Sequence, residues 1–93
     1  MTVTNRWPDK DKDDVLDFSI DWTSALDSGD AISSVTWIVP AGLTKDSQSV
    51  SGAVATIWLS GGTVDTDYTV TCRVVTTGGR TMDRSARLYV TER

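Results

Sequence analysis

Apolar and polar residues alternate strictly along several short stretches of the chain. In the first clear stretch, from residue 15 to residue 22, every second residue from Leu16 to Trp22 is apolar, and the residues between them are aspartate or serine. A period of two is expected for a β-strand that packs one face on a core and exposes the other to water. This segment therefore predicts a β-strand.

The same alternation recurs in later segments of the chain. It runs through 32–39, 53–59 and 68–75, and the apolar face then continues on a returning strand that reaches the end of the chain. Glycine- and proline-containing turns separate these segments, and the polar stretch 45–50 could form a short edge strand. No long segment has helical periodicity. The pattern predicts an all-β protein built as an antiparallel β-sandwich.

The positions of a few core residues indicate which kind of sandwich to expect. Trp37 lies in an early-middle strand, and the alternating residues Tyr68, Val70 and Cys72 lie in the penultimate strand. Immunoglobulin-like domains place a central tryptophan and its packing partners in these strands. Because Cys72 is the single cysteine, no intrachain disulfide can form. We therefore predict an immunoglobulin-like sandwich of six to seven strands, whose core includes Phe18, Ile20, Trp37, Tyr68, Val70, Cys72 and Leu88.

The first 14 residues differ in composition from the rest. They contain Trp7-Pro8 and then the mixed-charge run 9–14, which has no apolar residue to bury. We therefore expect residues 1–14 to form an arm that is mobile in the isolated domain and becomes ordered on docking, and residues 15–93 to form the sandwich.

Several segments resemble small structural proteins of tailed bacteriophages, the fibre–tail adaptor-like family. The resemblance is carried by strand and turn patterns from about Lys12 to Arg93, namely 14–22, 32–43, 58–63, 68–71 and 76–81. It implies an immunoglobulin-like virion component that links tail or neck proteins to receptor-binding parts, in several copies per particle. The resemblance brings no catalytic residue. Because a single cysteine cannot form an intrachain disulfide, we expect assembly in the cytoplasm of the bacterial host.

Composition excludes several classes of function. The net charge of −4 disfavours nucleic-acid binding, and no apolar run approaches the roughly 20 residues that span a bilayer. Histidine is absent, which excludes serine–histidine and cysteine–histidine catalysis and most zinc sites. The aspartates of 9–14 lack the glycine that a calcium loop needs at its sixth position, where Asp14 stands. We therefore predict a protein that is not an enzyme, without catalytic residues, metal or cofactor.

Two tryptophans and an arginine group are the candidates for a protein interface. Trp58 lies on the polar face of its predicted strand, and Trp7 lies in the predicted arm. Large exposed aromatic side chains often anchor protein interfaces, and Arg73 and Arg84 of the last hairpin could pair with an acidic neighbour. The alternatives are an accessory module that binds host-surface carbohydrate or protein, or one that decorates the capsid. For either tryptophan, packing over an edge of its own domain is an equally good interpretation.

Overall fold

Short strands make up most of the chain. A computed structural model describes residues 3–92, with side chains from residue 6 onwards. Met1, Thr2 and Arg93, which belong to the predicted arm and sandwich, lie outside the described residues. The strands are β1 (Val3–Arg6), β2 (Lys10–Asp11), β3 (Leu16–Asp21), β4 (Ile32–Ile38), β5 (Leu43–Ser51), β6 (Val54–Gly61), β7 (Thr66–Thr76) and β8 (Thr81–Thr91). A single 3₁₀ turn, Thr23–Ala25, follows β3.

The strands form two sheets. One has the order β1-β8-β7-β4, with β2 also paired to β8, and the other has the order β3-β6-β5. All pairs are antiparallel except those of β1 and β2 with β8, which are parallel. If β1 and β2 are counted as one interrupted strand, the sandwich has seven strands, which confirms the predicted fold class. Four strands facing three in this order, with the first strand beside the last, is an immunoglobulin-like arrangement.

The core lies between the two sheets. All seven residues assigned to it from the sequence are buried, and Trp37 on β4 lies opposite Cys72 on β7. Burial raises the pKa of the Cys72 thiol to about 11, so this side chain behaves as a small apolar residue at neutral pH. The apolar side chains of β6, Ala55, Ile57 and Leu59, are completely buried. The period-two pattern therefore identifies the inward face of each of these strands.

Tyr68 fixes the connection between β6 and β7. Its hydroxyl accepts a hydrogen bond from the backbone N–H of Thr63 (2.8 Å), and this bond lowers the pKa of the phenol. Gly42 lies against the same ring with φ of 104°, and a Cβ there would come within 2.9 Å of the Tyr68 hydroxyl. Glycine is needed at this turn for both reasons. The contact is similar to the tyrosine corner of immunoglobulin-like domains.

The prediction of an N-terminal arm is wrong for the described part of that segment. β1 pairs with β8, and the backbone N–H of Trp7 donates to the carbonyl of Arg87 (2.9 Å). The Trp7 side chain is only 7% exposed: its ring stacks on Phe18 with centroids 4.8 Å apart, and it lies 6.1 Å from the Trp37 ring. Its indole N–H also donates to the carbonyl of Ser19 (3.3 Å) on β3. Trp7 is therefore a core residue that contacts both sheets.

Lys10 provides a second contact between the N-terminal segment and the opposite sheet. Its side chain is completely buried, and Nζ donates to the carbonyls of Gly61 (2.7 Å) and Asp11 (2.8 Å). Burial lowers the pKa of this amine. Since β2 belongs to one sheet and Gly61 ends a strand of the other, the lysine joins the two layers. A mixed-charge run predicts solvent exposure. A lysine within it can nevertheless bury its aliphatic chain while its ammonium group donates hydrogen bonds to carbonyl oxygens.

At one end of the sandwich, Asp30 ties two turns together. Its Oδ1 accepts hydrogen bonds from Thr77 Oγ1 (2.7 Å), Gly78 N (2.9 Å) and Ala31 N (2.9 Å). These bonds, that of Thr77 first, lower the pKa of the carboxyl to about 2. The adjacent ion pair between Arg80 and Asp27 (3.0 Å) bridges the same two turns. Asp30 thus holds the turn before β4 against the β7–β8 turn.

The first prediction concerns Trp7. We expect Trp7→Ala to lower the free energy of unfolding by about 3–5 kcal/mol, because a buried aromatic ring that contacts both sheets is lost. Ile38→Ala, at a residue that is 45% exposed, is the control, and its effect should stay within about 0.5 kcal/mol. Urea denaturation measures both values. A loss below about 1 kcal/mol for Trp7→Ala would show that the N-terminal segment does not pack into the core.

The second prediction concerns Asp30 and pH. Because its folded-state pKa of about 2 is below the ordinary value of 3.8, its contribution to stability is complete above pH 3.8 and is lost as the pH falls towards 2. We expect Asp30→Asn to be less stable at neutral pH and to lose less additional stability between pH 4 and pH 2 than the wild type. Thermal melts across this range test it. Equal losses in the two proteins would contradict the assignment.

Candidate interaction surface

The outer face of the β3-β6-β5 sheet carries small hydroxyl side chains around one large ring. Register places Asp17, Ser19 and Asp21 of β3 beside Trp58, Thr56 and Val54 of β6, and these beside Ser47, Ser49 and Ser51 of β5. The β3 and β6 positions point away from the core because they alternate with inward residues such as Phe18 and Ile57. The three β5 serines share this face because they pair directly with the β6 positions. We call these nine residues the Trp58 face.

Trp58 lies on the middle strand of this face, in the row that Asp17 and Ser47 complete. Its side chain is 41% exposed, and its direct cross-strand neighbours are Asp17 on one side and Ser47 on the other. None of the neighbouring side chains is large enough to cover an indole ring. The structure therefore leaves the predicted interface residue Trp58 accessible to a partner.

Two carboxylates give the Trp58 face its charge. Asp21 accepts hydrogen bonds from the backbone N–H of Thr23 (2.9 Å) and from its hydroxyl (2.6 Å), and these bonds lower the pKa of Asp21. Asp17 is exposed and forms no ion pair with any described residue. The nine positions include no lysine or arginine, so the face is acidic at neutral pH.

The other three interface candidates have contacts inside the domain. Trp7 is buried, as described above. Arg73 forms a two-point ion pair with Asp83 across β7 and β8, with N···O distances of 2.8 and 3.0 Å. Arg84 lies 4.9 Å above the ring of buried Trp22 and donates to the backbone carbonyl of Asp21 (3.1 Å). Both arginine side chains therefore interact with residues of their own domain.

The free edge of β5 is a less suitable docking site for another strand. β5 is nine residues long and polar after Leu43 except for Val50, and its register against β6 shifts between Lys45 and Ser47. Lys45 donates to the Gln48 amide oxygen (2.7 Å), and the Gln48 amide donates to the carbonyl of Val35 (3.2 Å). A lysine and a bulge on an edge strand discourage pairing with other chains. These features indicate a protected edge.

A shallow, open depression lies at the end of the sandwich where Asp30 joins two turns. It is lined by polar residues of the two turns that Asp30 joins, including Asp27, Thr77 and Arg80, whose side chains already bond to one another or to Asp30. Within residues 3–92, no group of three or more histidine, cysteine or acidic side chains is placed to hold a metal ion. The same residues include no helix long and apolar enough to cross a membrane.

Comparison with known proteins agrees with the resemblance noted from the sequence. A search of curated proteins returns no match. A family model described as the podophage GP4 fiber-tail adaptor protein gp77 matches residues 10–89, which span β2 to most of β8. The match therefore covers both sheets and the whole Trp58 face. The chain belongs to the Gp77 family of podophage fibre–tail adaptor proteins.

Proposed function

We propose that this protein is a non-enzymatic adaptor of a phage virion that docks to tail, neck or fibre proteins through the Trp58 face. Membership of a fibre–tail adaptor family supports the structural role. The observation that carries the choice of surface is the 41% exposed ring of Trp58 on a strand whose other large apolar side chains are buried. Tryptophan is among the residues that contribute most to protein interfaces when a partner excludes water from them.

The small side chains around Trp58 suit a docking surface. Serine and threonine lose little rotamer entropy when a partner orders them, whereas long charged side chains lose more. Their hydroxyls can also donate and accept hydrogen bonds at the rim of an interface. A sheet face with one exposed ring on its middle strand and several hydroxyl groups therefore favours association with another protein surface.

The remaining features of the protein fit a virion component. Several copies on a symmetric part of the particle would bind with higher avidity than one copy, so each single interface can be small. The acidic net charge of −4 disfavours nucleic acid or an anionic membrane as the partner. Because the fold closes without a disulfide, it can form in the reducing cytoplasm of the host, where we place its assembly.

Carbohydrate binding is the second candidate function, and the same residue motivates it. An exposed tryptophan beside a carboxylate and hydroxyls can stack on a sugar ring. Sugar sites nevertheless use clustered aromatic side chains with polar groups, and the Trp58 face has one ring. Protein docking is therefore the better supported function.

The third prediction tests the Trp58 face. We expect Trp58→Ala to reduce incorporation of the protein into particles at least tenfold, because the loss of an interface tryptophan costs about 2–4 kcal/mol of binding free energy. A phage that lacks the gene, complemented by the variant in the host, provides the particles, and quantitative mass spectrometry measures incorporation. The thermal melt of the isolated variant should change little, because the side chain is outside the core.

Ile38→Ala is the matched control for this experiment. Ile38 is a comparably exposed apolar residue (45%) on the outer face of the other sheet, and its truncation should leave incorporation unchanged. Normal incorporation of Trp58→Ala would exclude the Trp58 face as the docking surface. Loss of incorporation in the Ile38→Ala protein alone would move the docking surface to the β1-β8-β7-β4 sheet.

A further inference from the structure

We propose that Trp58 and Asp17 together receive an arginine side chain of the docking partner. This inference rests on the proposed function, because it names the chemistry of the partner at the Trp58 face. In this arrangement, the guanidinium lies flat on the indole ring and donates hydrogen bonds to the Asp17 carboxylate. The partner is accordingly a protein whose docking surface is basic and presents an arginine.

The strand register brings the two groups together. Asp17 on β3 and Trp58 on β6 are directly opposite each other. Residues in this relation have Cβ atoms about 4.5–5.5 Å apart on the same face of a sheet. A guanidinium is planar and has donors along its edge, so it can cover a ring and point those donors at an adjacent carboxylate at the same time. Lysine has a compact ammonium group, so it is less able to cover the ring and bond to the carboxylate at the same time.

Charge complementarity supports a cationic partner. The Trp58 face has two carboxylates and no lysine or arginine. Asp21 already accepts two hydrogen bonds from Thr23, whereas Asp17 has no ion pair with a described residue. Asp17 is therefore the carboxylate that is available to a partner, and it adjoins the exposed ring.

The protein contains a related combination in its own structure. Arg84 lies 4.9 Å from the centroid of the Trp22 ring while its Nη1 donates to the backbone carbonyl oxygen of Asp21, 3.1 Å away. An arginine that covers an indole and bonds to a neighbouring oxygen is thus compatible with the geometry of this sandwich. At Trp58 the ring and the oxygen acceptor are present, and the arginine must come from another chain.

A titration of the full-length, ¹⁵N-labelled protein tests the contact directly. The probes are blocked tripeptides, acetyl-Gly-X-Gly-amide, in which X is arginine, lysine or citrulline. We expect the arginine peptide to shift the NMR signals of the Trp58 indole N–H and of Asp17. Citrulline, which has nearly the same shape without the charge, should bind at least tenfold more weakly, and lysine should lie between them.

Variants of Asp17 and Trp58, together with a sugar probe, distinguish arginine binding from its alternatives. Asp17→Asn should weaken binding of the arginine peptide several-fold, and Trp58→Ala should abolish the shifts. No shift at Trp58 or Asp17 up to about 50 mM arginine peptide, or equal shifts with citrulline, would overturn the proposal. Saturable shifts of the same signals with maltotriose and not with arginine would identify a carbohydrate site instead.

The fourth prediction applies the same inference to particles. We expect Asp17→Asn to reduce incorporation several-fold and Asp17→Arg to reduce it at least tenfold, because the second change places two cations against each other. Asp67→Asn, at an outward position of β7 on the opposite sheet, is the matched control and should incorporate normally. The melts of all three variants must resemble that of the wild type, which shows that folding is intact.

These results separate the two proposals. If Trp58→Ala is lost from particles while Asp17→Asn and Asp17→Arg incorporate normally, the Trp58 face docks the partner but does not bind arginine. If Trp58→Ala also incorporates normally, both the docking surface and the arginine contact are wrong. Loss of incorporation in the Asp17 and Trp58 variants, with normal incorporation of Asp67→Asn, supports both.

Discussion

Closure of the two sheets without a disulfide depends on the packing of Trp7 between them. The ring of this residue contacts Phe18 on one sheet and Trp37 on the other, and its N–H bonds to the backbone of β3. Lys10 adds a polar contact from the same segment to the end of β6. The contacts of Trp7 with Phe18 and Ser19, and of Lys10 with Gly61, tie the N-terminal segment to the opposite sheet. Packing and hydrogen bonding here thus do what a covalent bridge does in many small sandwiches.

This closure has a consequence for the outer surface. Because the large apolar side chains of β3 and β6 are used in the core, the outward positions of these strands are free to be small and polar. Trp58 is the exception. A rigid sheet holds its ring in place, so little conformational entropy is lost when a partner covers it. The lysine and the bulge on the edge of β5 disfavour strand addition there, which is consistent with the proposed docking through the Trp58 face.

The alternation of apolar and polar residues explains which strands could be predicted from the sequence. Period-two alternation located β3, β4, β6, β7 and β8 and their inward faces, and the burial of Phe18, Val70 and Leu88 follows from it. It failed at the N-terminus because a two-residue strand such as β2 is too short to show a period. The charges of residues 9–14 also masked Lys10, whose ammonium donates to a carbonyl 51 residues later in the chain as well as to that of Asp11.

The sequence by itself determined that this is a small all-β sandwich, which residues of the alternating strands face its core, and that Trp58 faces outwards. Those properties depend on neighbours one and two residues away. Only the tertiary structure decided that Trp7 is buried, that Arg73 and Arg84 are engaged within the domain, and that Asp17 lies beside Trp58. Each of these depends on strand order and register, which are set by contacts between distant parts of the chain and leave no periodic signal in any one segment.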